Sequence, residues 1–179
     1  LIYSQSNVAN SIAVQPNGRI LVMGTAWDYS AVASNHDIFV MRLNVAGSLD
    51  TTFDLDGISF INAGRFDDGR DFTLLDNGMM VVSGFSNLNF RNNLLVARLK
   101  ADGTLDGNFD ADGIKTEGLS GVLSDPIGGE SHFVQADGSI LVSAGSRMLR
   151  FNSTGAYQSA EFTNIFGFSN IADMKSTSD

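Results

Sequence analysis

The sequence contains no cysteine and few basic side chains. Without cysteine, disulfide bonds, thiolate metal sites and cysteine nucleophiles are excluded. The 11 Lys and Arg residues stand against 20 Asp and Glu residues, which gives a formal charge of -9. That balance opposes binding to nucleic acid or anionic lipid and favours cations or basic partners, and a solvated acidic surface is its simplest explanation.

Long apolar runs and helical periodicity are also missing. No segment approaches the roughly 18 apolar residues that a membrane helix needs, and residues 1–7 lack the basic and apolar regions of a signal peptide. We therefore expect no membrane insertion. The hydrophobic content is 43% across 179 residues, which indicates a single globular domain over residues 1–179.

What the sequence does contain is a repeat, and its clearest part is an apolar run that follows a glycine. The three copies, GRILVMG, GMMVVSG and GSILVSAG, begin at Gly18, Gly78 and Gly138, sixty residues apart. Each copy follows a turn in which Asn or Asp precedes the glycine, and both residues of the pair are expected to supply the positive φ angles of a tight hairpin. A short apolar segment precedes each turn, so each copy predicts a β-hairpin.

A second pattern follows each hairpin. It reads FVMRLNVAGSLDTTFDLDG from residue 39, LVARLKADGTLDGNFDADG from residue 95 and, in degraded form, MLRFNSTGAYQSAEF from residue 148. Alternating segments follow the first two copies, so each unit predicts four strands, a to d. The predicted units cover approximately residues 9–62, 69–118 and 131–167, and residues 1–5 and 169–175 are interpreted as strands of flanking units.

Four-stranded units that repeat every 50 to 60 residues or so predict an all-β fold built of antiparallel β-propeller blades, about three blades with partial blades at both ends. The run QPNGRILVMGTA, followed by FVMRLNVAGSLDTTF and by Asp-Gly before a strand, closely resembles the bacterial delta-60 repeat. The resemblance covers about residues 9–166, strongly in two units and weakly in the third. It implies a propeller in a large secreted or cell-surface bacterial protein, and it implies no activity.

Three blades cannot close a ring, because propellers typically use about 4 to 8 blades. An open arc leaves strand edges exposed to pairing. The expected partners are therefore other blades of the same protein or copies of this chain. The start at Leu1 rather than Met favours a piece excised from a longer protein.

The length of the loops points to a binding surface. The connections between strands b and c shrink along the chain, while the connections between strand d and the next strand a grow. In an up-and-down blade both kinds of connection emerge on the same face, and loops carry specificity on a fixed scaffold. The predicted binding residues there, for a protein or glycan partner, are Trp27, Tyr29, Phe90 and Arg91. The alternative is local packing of a long loop.

The opposite face carries pairs of aspartates in the connections between strands c and d. Alternating carboxylates before a glycine can offer hard oxygen ligands to calcium, although neither loop ends in the further acidic ligand of a complete calcium loop. The hypothetical calcium ligands are Asp54, Asp56, Asp110 and Asp112. At Asp54 and Asp110 the delta-60 pattern usually has glycine. The alternative is that these carboxylates accept hydrogen bonds from backbone N–H groups of turns.

One arginine lies at the same place in every strand c. These residues are Arg42, Arg98 and Arg150, and each is predicted to have a structural role by pairing with the aspartate of the Leu-Asp step, Asp50 or Asp106. The third unit has Gln158 at the aspartate position, so a neutral hydrogen bond is expected there.

Catalytic residues are not apparent. The two histidines, His36 and His132, occupy different places in the repeat, and no Ser or carboxylate constellation matches them in the sequence. Asp67-Asp68-Gly69 is interpreted as a turn. We expect a non-enzymatic structural or interaction module, and the alternative is a glycan-active or other hydrolytic propeller whose axial site is completed by further blades.

Overall fold

The fold consists entirely of β-strands in the part of the chain that the structure describes. The structure is a computed structural model, and it describes residues 6–28, 35–88, 91–118, 129–145 and 147–163. No helix in those residues has the length and apolar character needed to cross a membrane. The flanking strands predicted at residues 1–5 and 169–175 lie outside the described residues.

Twelve strands form three antiparallel sheets, which we call blades 1 to 3. Blade 1 contains, in order, β1 (Ser6–Val14), β2 (Ile20–Asp28), β3 (Asn35–Leu43) and β4 (Ile58–Ile61). Blade 2 contains β5 (Asp67–Leu74), β6 (Met80–Leu88), β7 (Arg91–Leu99) and β8 (Ile114–Glu117). Blade 3 contains β9 (Gly129–Val134), β10 (Ile140–Ala144), β11 (Arg147–Phe151) and β12 (Tyr157–Thr163). The predicted all-β fold of four-stranded blades is confirmed.

The first strand of each blade begins earlier than the sequence pattern suggests. The pairing of β5 with β6 shifts register between Gly69 and Asp71, and β1 has the matching shift between Ala9 and Ser11. Such a β-bulge breaks the alternation of apolar residues, so the pattern is legible only after the bulge. The interpretation of Asp67-Asp68-Gly69 as a turn is wrong, because these residues open β5.

The side chain of Asp67 stabilises the connection that precedes β5, which is where the chain turns. Its buried carboxylate accepts hydrogen bonds from the backbone N–H groups of Ala63 and Gly64, at 2.7 and 3.1 Å. These bonds hold the connection between β4 and β5 against the start of the strand. Aspartate is common both in turns and at positions where its side chain accepts backbone hydrogen bonds from a connection, so the sequence does not distinguish the two roles.

The a–b turns follow a different geometry from the one predicted. Only the glycine has a positive φ angle, 83° at Gly18, while Asn17 is not among the non-glycine residues with positive φ. The Asn17 side chain instead accepts a hydrogen bond from the Arg19 backbone N–H at 3.1 Å, as Asn77 and Asp137 do in the other two turns. The Asn or Asp therefore stabilises the turn through its side chain rather than by adopting a left-handed backbone.

The hydrophobic core lies between blades as well as within them. One buried cluster joins Met23 and Ile38 of blade 1 to Phe72 of blade 2. A second cluster joins Leu94 of blade 2 to Val142 of blade 3 and other residues of both sheets. Since each blade buries a face against its neighbour, the junctions between blades carry much of the burial that stabilises the fold.

Candidate functional site

The loop face is the side of the blades that carries the b–c connections and the connections between blades. In blade 1 it holds an aromatic cluster of Trp27, at the end of β2, His36, at the start of β3, and Phe66, just before β5. The His36 ring lies 5.3 Å from the Trp27 ring and 5.0 Å from the Phe66 ring, both measured between centroids, in edge-to-face geometry. All three side chains are half-buried, so the cluster is packed and still reachable from solvent.

The backbone and a cation hold this cluster in place. The His36 N–H donates a hydrogen bond to the Arg65 carbonyl at 3.2 Å, which ties β3 to the connection between blades. The Arg65 guanidinium lies over the Phe66 ring, 5.1 Å from its centroid. Burial lowers the pKa of His36, and the nearby carboxylates of Asp68 and Asp37 oppose that shift. The lowered pKa favours the neutral imidazole, which suits an aromatic stack.

The predicted binding residues of the loop face divide into two groups. Trp27 lies in the aromatic cluster. Tyr29 and Phe90 lie outside the described residues, and for Arg91 the backbone is described as the first residue of β7 but the side chain is not. Sequence reasoning missed His36 and Phe66, because the contact between β3 and the next connection joins residues distant in the chain.

The opposite side, which we call the turn face, carries the a–b turns and the c–d connections. Here Arg42 Nε lies 2.8 Å from Asp50 Oδ2, and Arg98 Nε lies 2.8 Å from Asp106 Oδ2. Both arginines are also stacked on an aromatic ring, with the guanidinium carbon 4.8 Å from the centroid of Phe53 in blade 1 and with the same arrangement in blade 2. These two ion pairs are the ones that the repeat predicts.

The same arginines connect neighbouring blades. Arg42 Nη1 donates a hydrogen bond to the Ala101 carbonyl of blade 2 at 2.9 Å, and Arg98 Nη1 donates one to the Ser153 carbonyl of blade 3 at 2.5 Å. A guanidinium is suited to this role because its planar fork presents several donors in fixed directions. One side chain thus fixes its own c–d connection and the following blade together.

The partners of Asp50 keep it ionised. The Thr52 hydroxyl donates to Asp50 Oδ1 at 2.6 Å, and this bond is the largest of the effects that lower the pKa of Asp50 to about 2. Burial opposes the shift, while the Thr52 backbone N–H and Arg42 add to it. Because the pKa is depressed, the stabilisation from this carboxylate is present above its ordinary pKa near 3.8 and is lost as the pH falls toward 2.

Arg150 has different partners from the one that the sequence predicts. Its Nη2 lies 3.3 Å from Ser139 Oγ and 3.6 Å from Asp137 Oδ2, both in or beside the a–b turn of blade 3. Gln158 lies exposed on β12. The expected bond to Gln158 is replaced because β12 begins soon after β11 in blade 3, without the Leu-Asp-x-x-Phe segment that curls back onto the arginine in blades 1 and 2.

The four aspartates proposed as calcium ligands lie in the c–d connections of blades 1 and 2. Asp56 and Asp112 accept hydrogen bonds from the backbone N–H groups two residues further on, at 3.0 and 2.9 Å. Asp54 and Asp110 have left-handed backbones, with φ angles of 44° and 47°. Within the described ranges, no three His, Cys, Asp or Glu side chains are grouped so that they could hold a metal ion.

The left-handed backbone also explains the departure from the delta-60 pattern. Glycine, the usual residue of that pattern at Asp54 and Asp110, adopts a positive φ without steric cost, and aspartate tolerates it better than most residues. Asp56 and Asp112 thus stabilise the turn as the alternative predicts, and Asp54 and Asp110 substitute for glycine, while calcium binding stays a prediction.

A buried serine and a buried histidine meet a partly exposed aspartate at the junction of blades 2 and 3, which the sequence did not reveal. Ser83 Oγ lies 2.8 Å from His132 Nδ1, and Asp71 Oδ2 lies 3.4 Å from the same nitrogen. Asp71 also accepts a hydrogen bond from the His132 backbone N–H at 2.8 Å. A catalytic triad requires the serine and the carboxylate on opposite ring nitrogens, so this arrangement is not a triad.

The His132 side chain is buried and neutral near pH 7. Burial lowers the pKa of His132 to about 4, and the nearby Asp71 carboxylate opposes that shift. Ser83 is likewise fully buried, which leaves no path for a substrate to its hydroxyl. The cluster thus fills the junction between blades.

Comparisons with known proteins agree with the fold. A family described as "Domain of unknown function (DUF5122) beta-propeller" matches residues 15–53 and 75–109, which span the a–b turn through the c–d connection of blades 1 and 2. No curated protein matches the chain. The matched stretches include both Arg-Asp-Phe groups of the turn face and leave out blade 3, where that group is absent. Blades 1 and 2 are therefore similar to the DUF5122 beta-propeller family, which corresponds to the delta-60 repeat type that the sequence resembles.

Proposed function

We propose that the chain is a non-enzymatic structural and interaction module of a large secreted or cell-surface bacterial protein, and that its loop face binds a protein or glycan partner. The observation that supports this most directly is the cluster of Trp27, His36 and Phe66, because preformed aromatic surfaces with a polar edge are typical centres of recognition. The net charge of -9 favours a neutral or basic partner.

The cluster suits a partner that presents a flat apolar face together with an acceptor. Two rings meet His36 edge to face, and Arg65 adds a cation beside Phe66. Sugar rings and aromatic or prolyl side chains both offer such faces. The loop-face connections differ in length from blade to blade, which agrees with a binding surface that changes between blades.

The single tryptophan of the chain makes this proposal directly measurable. Because Trp27 is the only tryptophan, its fluorescence reports on the loop face alone. We expect a saturable change in emission when a panel of soluble bacterial polysaccharides and peptidoglycan fragments is titrated, and a weakened response in Arg65→Ala, whose side chain is exposed.

A matched control lies on the turn face. Leu55 is 93% exposed there, and Leu55→Ser leaves the loop face untouched, so binding is expected to be unchanged. Saturable binding that survives Arg65→Ala and is lost in Leu55→Ser would place the partner on the turn face and contradict the proposal. For a protein partner the same pair of variants is compared by titration calorimetry.

The hydrolytic alternative makes a different demand. It requires carboxylates that converge near the axis, where the first strands of neighbouring blades contact each other. Asp68, on β5, is committed to hydrogen bonding with the Thr25 hydroxyl at 2.7 Å and to an ion pair with Arg70 at 2.9 Å. Release of reducing sugar from the polysaccharide panel by the wild-type chain would favour this alternative.

A further inference from the structure

Two asparagines of the sequence precede a glycine, and both lie in a–b turns. They are Asn17 in blade 1 and Asn77 in blade 2. The turn at Asn77 belongs to the blade that packs against a described blade on each side. Asparagine before glycine is chemically distinctive, because the glycine nitrogen can approach the side-chain amide carbon without obstruction from a β-carbon.

The turn holds the Asn77 side chain toward that nitrogen. The Met79 N–H donates a hydrogen bond to Asn77 Oδ1 at 3.0 Å. An asparagine side chain bonded to the backbone two residues further on follows the path of a backbone turn, which brings its amide carbon toward the nitrogen of the next residue. The same hydrogen bond stabilises the negative charge that develops on Oδ1 when a nucleophile attacks this carbon.

The attacking nitrogen can become free without unfolding of the blade. The Gly78 N–H donates a hydrogen bond to the Leu75 carbonyl at 2.8 Å, and this bond must open before the nitrogen can lose its proton. The pairing of β5 with β6 begins beyond the turn, at Leu74 and Met80, and Asn77 is exposed. Opening of an exposed turn costs much less free energy than unfolding of the sheet, so the reaction is open to the folded chain.

Blade 3 shows that an aspartate fits the same turn. Asp137 precedes Gly138 there, and Asp137 Oδ1 accepts a hydrogen bond from the Ser139 N–H at 2.9 Å. The Gly138 N–H donates to the Gln135 carbonyl, also at 2.9 Å. These two bonds repeat those of the blade 2 turn. Conversion of the blade 2 asparagine to aspartate therefore requires no rearrangement of the turn.

We propose that Asn77 is a site of spontaneous deamidation in the folded chain, with the Gly78 nitrogen as the nucleophile. The nitrogen forms a bond to the Asn77 amide carbon, and the bond from that carbon to the side-chain nitrogen breaks. The amino group leaves as ammonia, with the proton that the Gly78 nitrogen has given up. Water then opens the cyclic imide at either carbonyl, which yields aspartate or isoaspartate and one new negative charge. This inference is independent of the partner of the loop face.

Two other asparagines are internal controls for the role of glycine. Asn44 and Asn152 also accept a hydrogen bond from the backbone N–H two residues further on, at 2.9 and 3.0 Å. A valine follows the first and a serine follows the second. Their side chains obstruct the attacking nitrogen, and the β-branched valine obstructs it more. We therefore expect conversion to be fastest at Asn77, slower at Asn152 and slowest at Asn44.

Incubation of the full chain in mildly alkaline buffer for several days tests the proposal. Digestion at low pH and mass spectrometry then distinguish carboxyl from amide at each position. We expect conversion at Asn77 to be at least about tenfold faster than at Asn44 or Asn152, and to accelerate with pH because the nitrogen must lose a proton. Equal conversion at the three positions would overturn the proposal.

The same chain unfolded in guanidinium chloride shows whether the fold permits the reaction. We expect the rate at Asn77 in the folded chain to lie within about tenfold of the rate in the unfolded chain, because only the turn has to open. Conversion at Asn77 in the unfolded chain alone would contradict a site in the folded protein.

Two variants test the route and its product. In Asn77→Gln the ring that would close is larger, so residue 77 is expected to keep its amide over the same period, and conversion at the natural rate would contradict ring closure by Gly78. Asn77→Asp is expected to melt within about 1 °C of the natural chain, as the turn of blade 3 implies. The isoaspartate form is expected to melt at least about 2 °C lower, because its extra main-chain methylene displaces Gly78 from the Leu75 carbonyl. A loss above about 2 °C in Asn77→Asp would show that the turn does not accommodate the product.

Discussion

The two junctions between blades are alike on the turn face and different near the axis. On the turn face, both use an arginine, an aspartate and a phenylalanine of one blade against a glycine of the next. Near the axis, the first junction pairs the Thr25 hydroxyl with Asp68, at 2.7 Å. The second junction places His132 beside Ser83 and Asp71 in the same region.

This difference separates what the repeat encodes from what individual residues add. The turn-face contacts come from motif residues, so they recur wherever the motif is complete and disappear in blade 3, where it is not. The contacts near the axis come from positions that differ between blades, such as Phe72 and His132. A repeat can therefore keep one way of joining blades while each junction acquires its own chemistry.

The largest expected change in the free energy of unfolding comes from removing the arginines of the turn face. In Arg42→Ala, Asp50 keeps only the half-exposed Arg19, at 3.2 Å, Phe53 loses its stacked partner and the bond to blade 2 is gone, so we expect a loss of about 3 kcal/mol in the free energy of unfolding. Arg98→Ala is expected to cost about 2 kcal/mol, because its side chain is 14% exposed rather than 6%. Urea denaturation followed by Trp27 fluorescence measures both losses.

Arg150 is the natural control for these variants. Its ion-pair partner, Asp137, has a side chain that is 63% exposed, so Arg150→Ala is expected to cost less than about 1 kcal/mol. None of the three substitutions is expected to change binding at the loop face. Equal losses for Arg42→Ala and Arg150→Ala would mean that the bonds between blades contribute nothing beyond local packing.

The sequence predicts the features that both junctions share on the turn face. Three copies at a sixty-residue spacing predict three four-stranded blades, and the arginine and the Leu-Asp step predict both ion pairs of the turn face. Such features are legible because they recur at equal spacing. The bulge at Asn10 and Arg70 is not legible, because it interrupts the alternation on which strand prediction depends.

The individual contacts could not be predicted, for a physical reason. His36 meets Phe66, and His132 meets Ser83 of blade 2, only because neighbouring blades pack side by side. Their partners are set by the packing angle of two sheets and not by local spacing. Composition also gave no sign of the left-handed backbone at Asp54 and Asp110.

A second test concerns the pH dependence of stability that His132 gives to the junction of blades 2 and 3. The junction of blades 1 and 2 has Phe72 at the equivalent position. The pKa of His132 is lowered to about 4 by burial, while in the unfolded chain it is near 6.5, so the unfolded state binds the proton more readily between these values. This contribution to stability is therefore complete above pH 6.5 and falls as the pH drops toward 4. We expect a loss of roughly 2 kcal/mol between pH 7.5 and 5, measured by urea denaturation at each pH.

His132→Phe is the variant that isolates this effect. Blade 2 has Phe72 at the equivalent position, so the substitution uses a residue that the scaffold accommodates, and Asp71 keeps the backbone N–H and the Ser131 hydroxyl as donors. We expect the pH dependence between 7.5 and 5 to shrink by most of that 2 kcal/mol or so, with the remainder due to His36 and the carboxylates. An unchanged slope would show that His132 takes up its proton at the same pH in the folded and the unfolded chain.

The smallest test concerns the strained turn that both complete motifs share. Leu55 and Ala111 have φ angles of 72° and 68°, in the left-handed region that costs residues with a β-carbon about 1 to 2 kcal/mol. Glycine removes that cost, and it loses about 0.5 to 1 kcal/mol through the greater freedom of the unfolded chain. Leu55→Gly and Ala111→Gly are therefore each expected to raise the free energy of unfolding by about 0.5 kcal/mol.

A glycine at an exposed position without positive φ sets the baseline for this small gain. Val45→Gly places the same residue on the turn face where no left-handed strain is relieved, so it is expected to lower the free energy of unfolding by about 0.5 to 1 kcal/mol. The sign of the change thus distinguishes relief of strain from a general effect of glycine. If Leu55→Gly were to destabilise the chain as Val45→Gly does while Ala111→Gly stabilised it, the two junctions would differ on the turn face as well, even though the Leu55 side chain is 93% exposed.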